Sequence, residues 1–87
     1  MLNRYERKIL RRKTFEELGT QFETLRKARG LSIEDIAAVT KQYPTRIAKC
    51  EEKRFPTSTA CYIDNAVILA AFYDKRLKIE LIDADIP

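Results

Sequence analysis

The sequence predicts a small, mainly α-helical protein with four to five helices and one β-strand near its C-terminus. Apolar residues recur every three or four positions between residues 14 and 74, which is typical of amphipathic helices. Helix-capping residues precede these stretches, whereas residues 77–81 alternate apolar and charged side chains as a half-buried strand does. A chain of 87 residues has room for one domain with one modest core.

The composition excludes several classes of protein. Hydrophobic residues make up 45% of the chain and charged residues 34%, which favours a folded core over disorder. The chain has no His and two isolated Cys, so we expect no metal site, no cofactor and no Ser-His or Cys-His catalysis. We therefore predict that the protein is not an enzyme.

The sequence also bears on the compartment. No apolar run approaches the ~18 residues of a membrane span, and the first residues lack the apolar core of a signal peptide. We expect a cytoplasmic protein with no membrane association. In a reducing compartment, Cys50 and Cys61 are predicted to be buried thiols rather than a disulfide or redox pair.

The positive charge is concentrated at the N-terminus. Residues 1–13 contain six basic side chains and one acidic one, a net charge of +5, whereas the other 74 residues contain eleven and twelve, a net charge of −1. Such a basic arm suits a polyanionic partner. On charge alone, a solvated tail without a partner is an equal alternative. Leu2, Tyr5 and Ile9 recur at helical spacing, so the segment is also compatible with a short helix packed on the domain.

The first helix of the domain is predicted to span about residues 15–29. Thr14 and Glu17 have the spacing of a capping box, and Gly30 suits the left-handed position that ends a helix. One apolar stripe follows this helix through Phe15, Leu18, Phe22 and Leu25.

The second helix is predicted over residues 33–40. Ser32 is placed to cap it, with Asp35 three residues further on. Leu31 and Ile36 occupy the two positions of a hydrophobic staple, which fixes the angle at which the chain enters a helix.

The third helix should begin at Pro44, whose fixed φ favours the first helical position, and end near Glu52. Ile47 and Cys50 lie three positions apart and are expected to point inward together. The outer face is then basic and polar, and consists of Thr45, Arg46 and Lys49.

A fourth helix, capped by Ser58 or Thr59, should complete a domain of residues 14–74. Its apolar residues occupy two faces, and we assign Ile63, Val67 and Ala70 to the domain core. Residues 75–87 are interpreted as a C-terminal dimerisation strand and tail, which pairs with the basic arm or, as we favour, with its copy in a second protomer. The predicted dimer interface comprises Leu69, Phe72, Tyr73, Leu77, Ile79 and Leu81.

Residues 18–52, LGTQFETLRKARGLSIEDIAAVTKQYPTRIAKCEE, resemble the helix-turn-helix domain of the Cro and lambda-repressor type, also called the XRE family. The resemblance implies a lambda-repressor-like fold in which the second and third helices form the DNA-binding pair. It further implies that the third helix enters the major groove and that two-fold dimers read two half-sites. The family's internal ion pair would correspond to Arg26 and Glu51.

The sequence departs from the family pattern at the turn between the second and third helices. Lys41 stands where the family has a glycine, and Gln42 stands where it usually has an apolar residue. Two further departures are Ile33 in place of an amide side chain and Pro44 in place of a polar residue. These differences leave fewer groups for direct reading of base pairs.

The resemblance assigns roles to individual residues of this surface. Arg46 suits guanine, Thr45 suits a thymine methyl group or a phosphate, and Lys49 adds a second cation for base contact. Residues expected to contact the phosphate backbone are Ser32, Lys41, Gln42, Tyr43, Lys53 and Arg54.

The fourth helix followed by a C-terminal strand ending LKIELID, residues 77–83, resembles HipB-like antitoxins, small repressors whose C-terminal strands pair across the dimer. We therefore predict a homodimeric repressor that binds a double-stranded DNA operator, with a toxin protein as a further partner. The alternative is a protein-interaction module that keeps the helix-turn-helix fold without specific DNA reading, which the departures at Ile33, Lys41 and Pro44 favour.

Overall fold

The computed structural model describes residues 2–54 and 56–83, which form four helices. These are α1 (Arg4–Ala28), α2 (Ile33–Thr40), α3 (Pro44–Glu51) and α4 (Thr59–Phe72). The predicted mainly α-helical fold class is confirmed, but the described residues include no β-strand. Met1, at the start of the predicted arm, and residues 84–87, at the end of the predicted tail, lie outside them. No helix in this part of the chain is long and apolar enough to cross a membrane.

Helix α1 begins eleven residues earlier than predicted. The Asn3 side chain accepts a hydrogen bond from the Glu6 N–H at 2.8 Å, and the Glu6 carboxylate accepts one from the Asn3 N–H at 3.4 Å. The predicted capping box at Thr14 is wrong, since the Thr14 hydroxyl donates to the Leu10 carbonyl at 3.0 Å inside the helix. Without Gly or Pro between residues 4 and 18, nothing interrupts the helix that Asn3 starts.

The basic segment is therefore the first three turns of α1. No residue from 2 to 14 is buried, and the Tyr5 side chain is 72% exposed. Ile9 and Leu10 are half-buried, but neither packs against the hydrophobic core. The segment is helical as one alternative expected, yet it extends from the domain instead of forming a separate helix packed on it.

The other three helices have bounds close to those predicted. Ser32 caps α2 and Pro44 begins α3, while the Ser58 side chain accepts the N–H of Cys61 at the start of α4. Helix α3 is central, because it contacts each of the other three helices. The core consists of Phe22, Ile36, Ala37, Ile47, Cys50, Tyr62, Ala66, Leu69, Ala70 and Tyr73.

The face of α4 that packs on the domain differs from the predicted one. Leu69 is 0% exposed and Tyr73 1% exposed, so their predicted place in a dimer interface is wrong. Both belong to a stripe at spacings of three and four that faces α2 and α3 within the same protomer. Val67, predicted to be in the core, is instead 50% exposed beside Ile68 at 45%.

The C-terminal segment makes little contact with its own domain. Leu77 is half-buried against the core, but Ile79 is 81% exposed and Leu81 99% exposed. Pairing of this segment with the N-terminal arm as a β-strand is excluded, because the arm is helical. Pairing with a second copy stays a prediction, since a strand without a partner has no ladder of hydrogen bonds.

The two cysteines have different environments. Cys50 is buried in α3, and burial, assisted by the neighbouring Glu51 charge, raises the pKa of its thiol to about 12. Cys61 is exposed at the start of α4, so the prediction of a buried thiol is right for Cys50 and wrong for Cys61. Both are free thiols, as expected.

Gly19 lets α1 pack closely against the backbone at the end of α3. A Cβ atom at this position would lie 2.7 Å from the Glu52 carbonyl oxygen and 3.0 Å from that of Glu51. Both neighbours are backbone atoms, so they cannot rotate away as a flexible side chain does. The sequence does not predict this contact, because a glycine inside a helical pattern carries no signal of what faces it.

We expect Gly19→Ala to destabilise the protein by about 1–3 kcal/mol through overpacking, although alanine is the better helix former. Thr20→Ala, on the adjacent exposed position of α1, is the matched control and should leave stability nearly unchanged. Urea denaturation followed by circular dichroism measures both. A Gly19→Ala protein at least as stable as the parent would show that α3 does not need this close approach.

Candidate nucleic-acid interface

Helix α3 presents one face to the core and the other to solvent. Ile47 and Cys50 are each 1% exposed, and they fix the helix against α1, α2 and α4. The three side chains predicted for base contact, Thr45, Arg46 and Lys49, are all exposed on the opposite side. The structure therefore brings the predicted base-contacting residues together on one accessible helix face.

A buried ion pair anchors the C-terminal end of α3 to α1. The Arg26 Nε atom lies 2.8 Å from Glu51 Oε2, and Arg26 Nη2 lies 3.1 Å from Glu51 Oε1. Arg26 Nη1 also donates to the Leu31 carbonyl at 3.1 Å. The Glu51 carboxylate, hydrogen-bonded to Arg26, raises the pKa of the guanidinium. The pair that the family resemblance implies is thus present, and the same arginine holds the loop before α2.

The turn between α2 and α3 contains a residue in the left-handed conformation, and this residue is Lys41 rather than a glycine. Lys41 has φ 57° and ψ 36°, and its N–H donates to the Ala37 carbonyl. The Gln42 N–H also donates to the Ala37 carbonyl, at 3.2 Å, which closes the end of α2. The departure at Lys41 therefore leaves the turn hydrogen-bonded, with the strain of a non-glycine residue at positive φ.

We expect Lys41→Gly to raise the free energy of unfolding by about 0.5–1 kcal/mol, because glycine adopts this conformation without a Cβ clash. It should also weaken binding to any DNA duplex, since one cation is lost. Lys41→Gln is the matched control, with the charge removed and the strain kept. It should weaken DNA binding equally and leave stability unchanged, and a stabilised Lys41→Gln protein would contradict the strain argument.

Tyr43 and Arg46 form a stacked pair at the start of α3. The Arg46 guanidinium carbon lies 5.6 Å from the centre of the Tyr43 ring, a cation–π distance, and the ring is 70% exposed. Arg46 and Lys49 form no ion pair within the described residues. No acidic side chain among the described residues therefore pairs with the two cations of this face, and Tyr43 contacts one of them, Arg46.

The residues predicted for phosphate contact are less uniform. Lys53 lies 3.5 Å from the Glu23 carboxylate and Arg54 lies 3.3 Å from that of Glu52, and all four side chains are solvent-accessible. Exposed pairs of this kind are weak, so a phosphate can compete for the two cations. The Gln42 side-chain nitrogen is instead buried without a hydrogen-bond partner in the described part of the chain, so it faces inward.

The N-terminus of α2 is a poor site for phosphate. The Ser32 side-chain oxygen accepts the Asp35 N–H at 3.0 Å, and the Asp35 carboxylate accepts the Ser32 N–H at 3.0 Å. The hydrogen bond from the Ser32 N–H, and after it the Ser32 side chain, lower the pKa of the Asp35 carboxyl group. Glu34 adds a second negative charge in the same turn. The structure therefore argues against the predicted phosphate contact at Ser32.

In the described part of the chain, no group of three His, Cys, Asp or Glu side chains could hold a metal ion. No family model, no curated protein and no solved structure matches this chain.

Proposed function

We propose that this protein is a sequence-specific, double-stranded-DNA-binding transcriptional repressor with a lambda-repressor-like helix-turn-helix fold. One observation carries the proposal: α3 exposes Thr45, Arg46 and Lys49 on a single face whose cations have no acidic partner in the described residues. Arginine pairs with guanine through two hydrogen bonds in the major groove, and threonine contacts the thymine methyl group.

The dimensions and anchoring of α3 suit this role. An α-helix with its side chains is about 10–12 Å across, which is comparable to the width of the major groove, and the eight residues of α3 extend for about 12 Å along the helix axis. The Arg26–Glu51 pair and the close contact at Gly19 fix the C-terminal end of α3, while Pro44 fixes its start. A helix held at both ends loses little conformational entropy when it binds, which favours specific over diffuse contact.

Selection from a random pool of duplexes tests the proposal. A two-fold dimer should enrich an inverted repeat whose half-sites lie about 10 base pairs apart, one turn of DNA. Arg46→Ala should remove the enrichment at one position of each half-site. Failure of the parent protein to enrich any sequence would overturn the proposed function.

We also propose that the protein forms a dimer, through a surface that differs from the one predicted from the sequence. In the described part of the chain after α3, the large hydrophobic residues that are exposed are Val67 and Ile68 on α4 and Ile79, Leu81 and Ile82 in the tail. Pairing of two tails as β-strands would bring Ile79 and Leu81, which lie on the same face of a strand, next to their copies and supply the missing hydrogen-bond partners. Light scattering of the parent protein should therefore give the mass of two chains.

We expect Ile79→Lys with Leu81→Lys to yield a folded monomer, because both side chains are exposed in the protomer. Its affinity for the selected duplex should fall far below that of the parent, since each monomer has one half-site. Glu80→Gln, between the two positions, is the control and should remain dimeric. A monomeric parent with full operator affinity would contradict the symmetric dimer.

We further propose a toxin protein as a partner. This part of the proposal is supported only by the resemblance of the C-terminal segment to HipB-like antitoxins. Expression with the product of the adjacent gene tests it: a kinase-like or nuclease-like protein that copurifies and is inhibited by this chain supports the antitoxin role. Absence of such a complex leaves a repressor without that role.

A protein-interaction module without DNA reading is the second candidate. Val39 and Tyr43 favour it. Their apolar side chains are 69% and 70% exposed, and the two residues lie on either side of the turn between α2 and α3. The salt dependence of DNA binding separates the two functions, since neutralisation of phosphates gives a steep loss of affinity with salt.

A further inference from the structure

The N-terminal part of α1, which projects from the domain, has three cationic residues on the side of the helix that packs on the core further along. Arg4, Lys8 and Arg11 follow each other at spacings of four and three, and the same spacing continues through Phe15, Leu18 and Phe22. Phe22 is buried, and Phe15 packs edge-to-face on Tyr62 of α4 with ring centres 5.1 Å apart. We call Arg4, Lys8 and Arg11 the cationic stripe, which prolongs the domain-facing side of α1.

Helix stability does not explain this placement of charge. The N-terminus of a helix has a partial positive charge, so cations in its first turns are unfavourable by a few tenths of a kcal/mol each. Arg4, Arg7 and Lys8 all lie there, with Glu6 as the single acid of the first turn. The cations therefore oppose the helix that carries them, and a polyanionic partner would offset that cost.

The cationic stripe begins close to the point where the chain leaves α3. The Glu52 carbonyl abuts α1 at Gly19, and Lys53 and Arg54 follow immediately. Phe15 contacts Tyr62 of α4, and Arg11 lies one turn before Phe15. Successive turns of α1 thus connect the basic end of α3 with the cationic stripe.

We propose that the cationic stripe is a second phosphate-binding surface, which holds the backbone of the duplex beyond the base pairs contacted by α3. This inference rests on the proposed DNA-binding function. Because α1 is one uninterrupted helix from Arg4, the stripe is a rigid continuation of the domain and binds in one rotational phase. A flexible arm would bind according to its number of charges alone.

Two lysines of α1 allow a matched comparison. Lys8 belongs to the cationic stripe, whereas Lys13 lies about 140° further around the helix, and both are exposed. On a duplex of roughly 30 base pairs, about three turns, Lys8→Gln should make the slope of log affinity against log salt shallower by about 0.9 per protomer. Lys13→Gln should leave the slope unchanged.

Alanine insertions between Lys13 and Thr14 test the phase without any change of charge. Two alanines turn the cationic stripe by about 200°, away from the duplex, and four turn it by about 400°, which returns it to within about 40°. Two alanines should make the slope shallower by about 2 per protomer, because three cations leave the register while Lys13 moves into the position that Arg11 occupies in the parent. Four alanines should restore most of the parent's slope, and circular dichroism checks that every variant is helical.

The outcomes separate this inference from the proposed function. Equal slopes for the parent, both glutamine variants and both insertions would overturn the cationic stripe, even if α3 still selects a sequence. Loss through Lys8→Gln alone, with two and four alanines equivalent, would also overturn it in favour of a flexible arm. A shallower slope in the Lys8→Gln and two-alanine variants of a protein that selects no sequence would instead overturn base reading by α3.

Discussion

Replacement of Glu51 by alanine should lower the free energy of unfolding by about 3–5 kcal/mol. The Arg26 and Glu51 side chains are 17% and 7% exposed, and the variant leaves the guanidinium in that site without its carboxylate. A domain of this size is typically stable by about 5–15 kcal/mol, so the loss is a large part of the total. Urea denaturation followed by circular dichroism measures it.

Glu52→Ala is the matched control for this prediction. Glu52 is the next residue in the chain, and its carboxylate pairs with Arg54 at the surface, where the Arg54 side chain is 76% exposed. We expect no measurable change from this variant, because exposed ion pairs contribute little. Equal stability of the two variants would show that the Arg26–Glu51 pair does not anchor α3.

Replacement of Arg46 by alanine should weaken binding to the selected duplex by about 1–3 kcal/mol, the discrimination expected of one bidentate contact with guanine. Binding to a scrambled duplex should weaken much less. Arg54→Ala is the matched control, because it also removes one exposed arginine but follows α3 in the loop. It should weaken binding to both duplexes equally, as a phosphate contact does.

Tyr43 variants separate orientation of Arg46 from its charge. Tyr43→Phe keeps the ring beneath the guanidinium, so it should keep the preference for the selected duplex. Tyr43→Leu removes the cation–π contact, so it should lose part of that preference while the net charge is unchanged.

If Arg46→Ala lowers the affinity for the selected and the scrambled duplex equally, Arg46 contacts phosphate alone.

Local sequence signals predicted the middle of the domain well. Ser32 with Asp35, Pro44 and Ser58 are capping residues whose effect does not depend on distant parts of the chain, so the bounds of α2, α3 and α4 followed from them. The inward direction of Ile47 and Cys50 followed from helical periodicity, which a short amphipathic helix obeys.

The features that the sequence did not predict depend on competition between capping residues, on the face with which a helix packs, or on a partner strand. Thr14 has a correct capping-box spacing, but Asn3 forms an equivalent box first and the helix runs through Thr14. In α4, apolar residues surround the helix, so periodicity could not distinguish buried Leu69 from exposed Val67. The C-terminal segment has a strand pattern, but a strand forms only against a partner strand, and the described residues of one chain include none.

The candidate interface also has features that the sequence predicted and features that it did not. Exposure of Thr45, Arg46 and Lys49 followed from the periodicity of α3, and the resemblance implied the Arg26–Glu51 pair. The stacking of Tyr43 on Arg46 was not predicted, because it depends on the angle at which the chain enters α3. The repulsive effect of Glu34 and Asp35 on phosphate at Ser32 could have been inferred from the sequence, since both follow the cap directly.

The ratio of affinities for the selected duplex and for a scrambled duplex of the same length and composition tests the central claim most directly. Measured at one fixed salt concentration, the ratio cancels the electrostatic attraction common to both duplexes. A protein that reads base pairs through α3 should favour the selected duplex by about 10³-fold or more, and Arg46→Ala should reduce that ratio. A ratio near one for the parent protein would contradict base reading by α3.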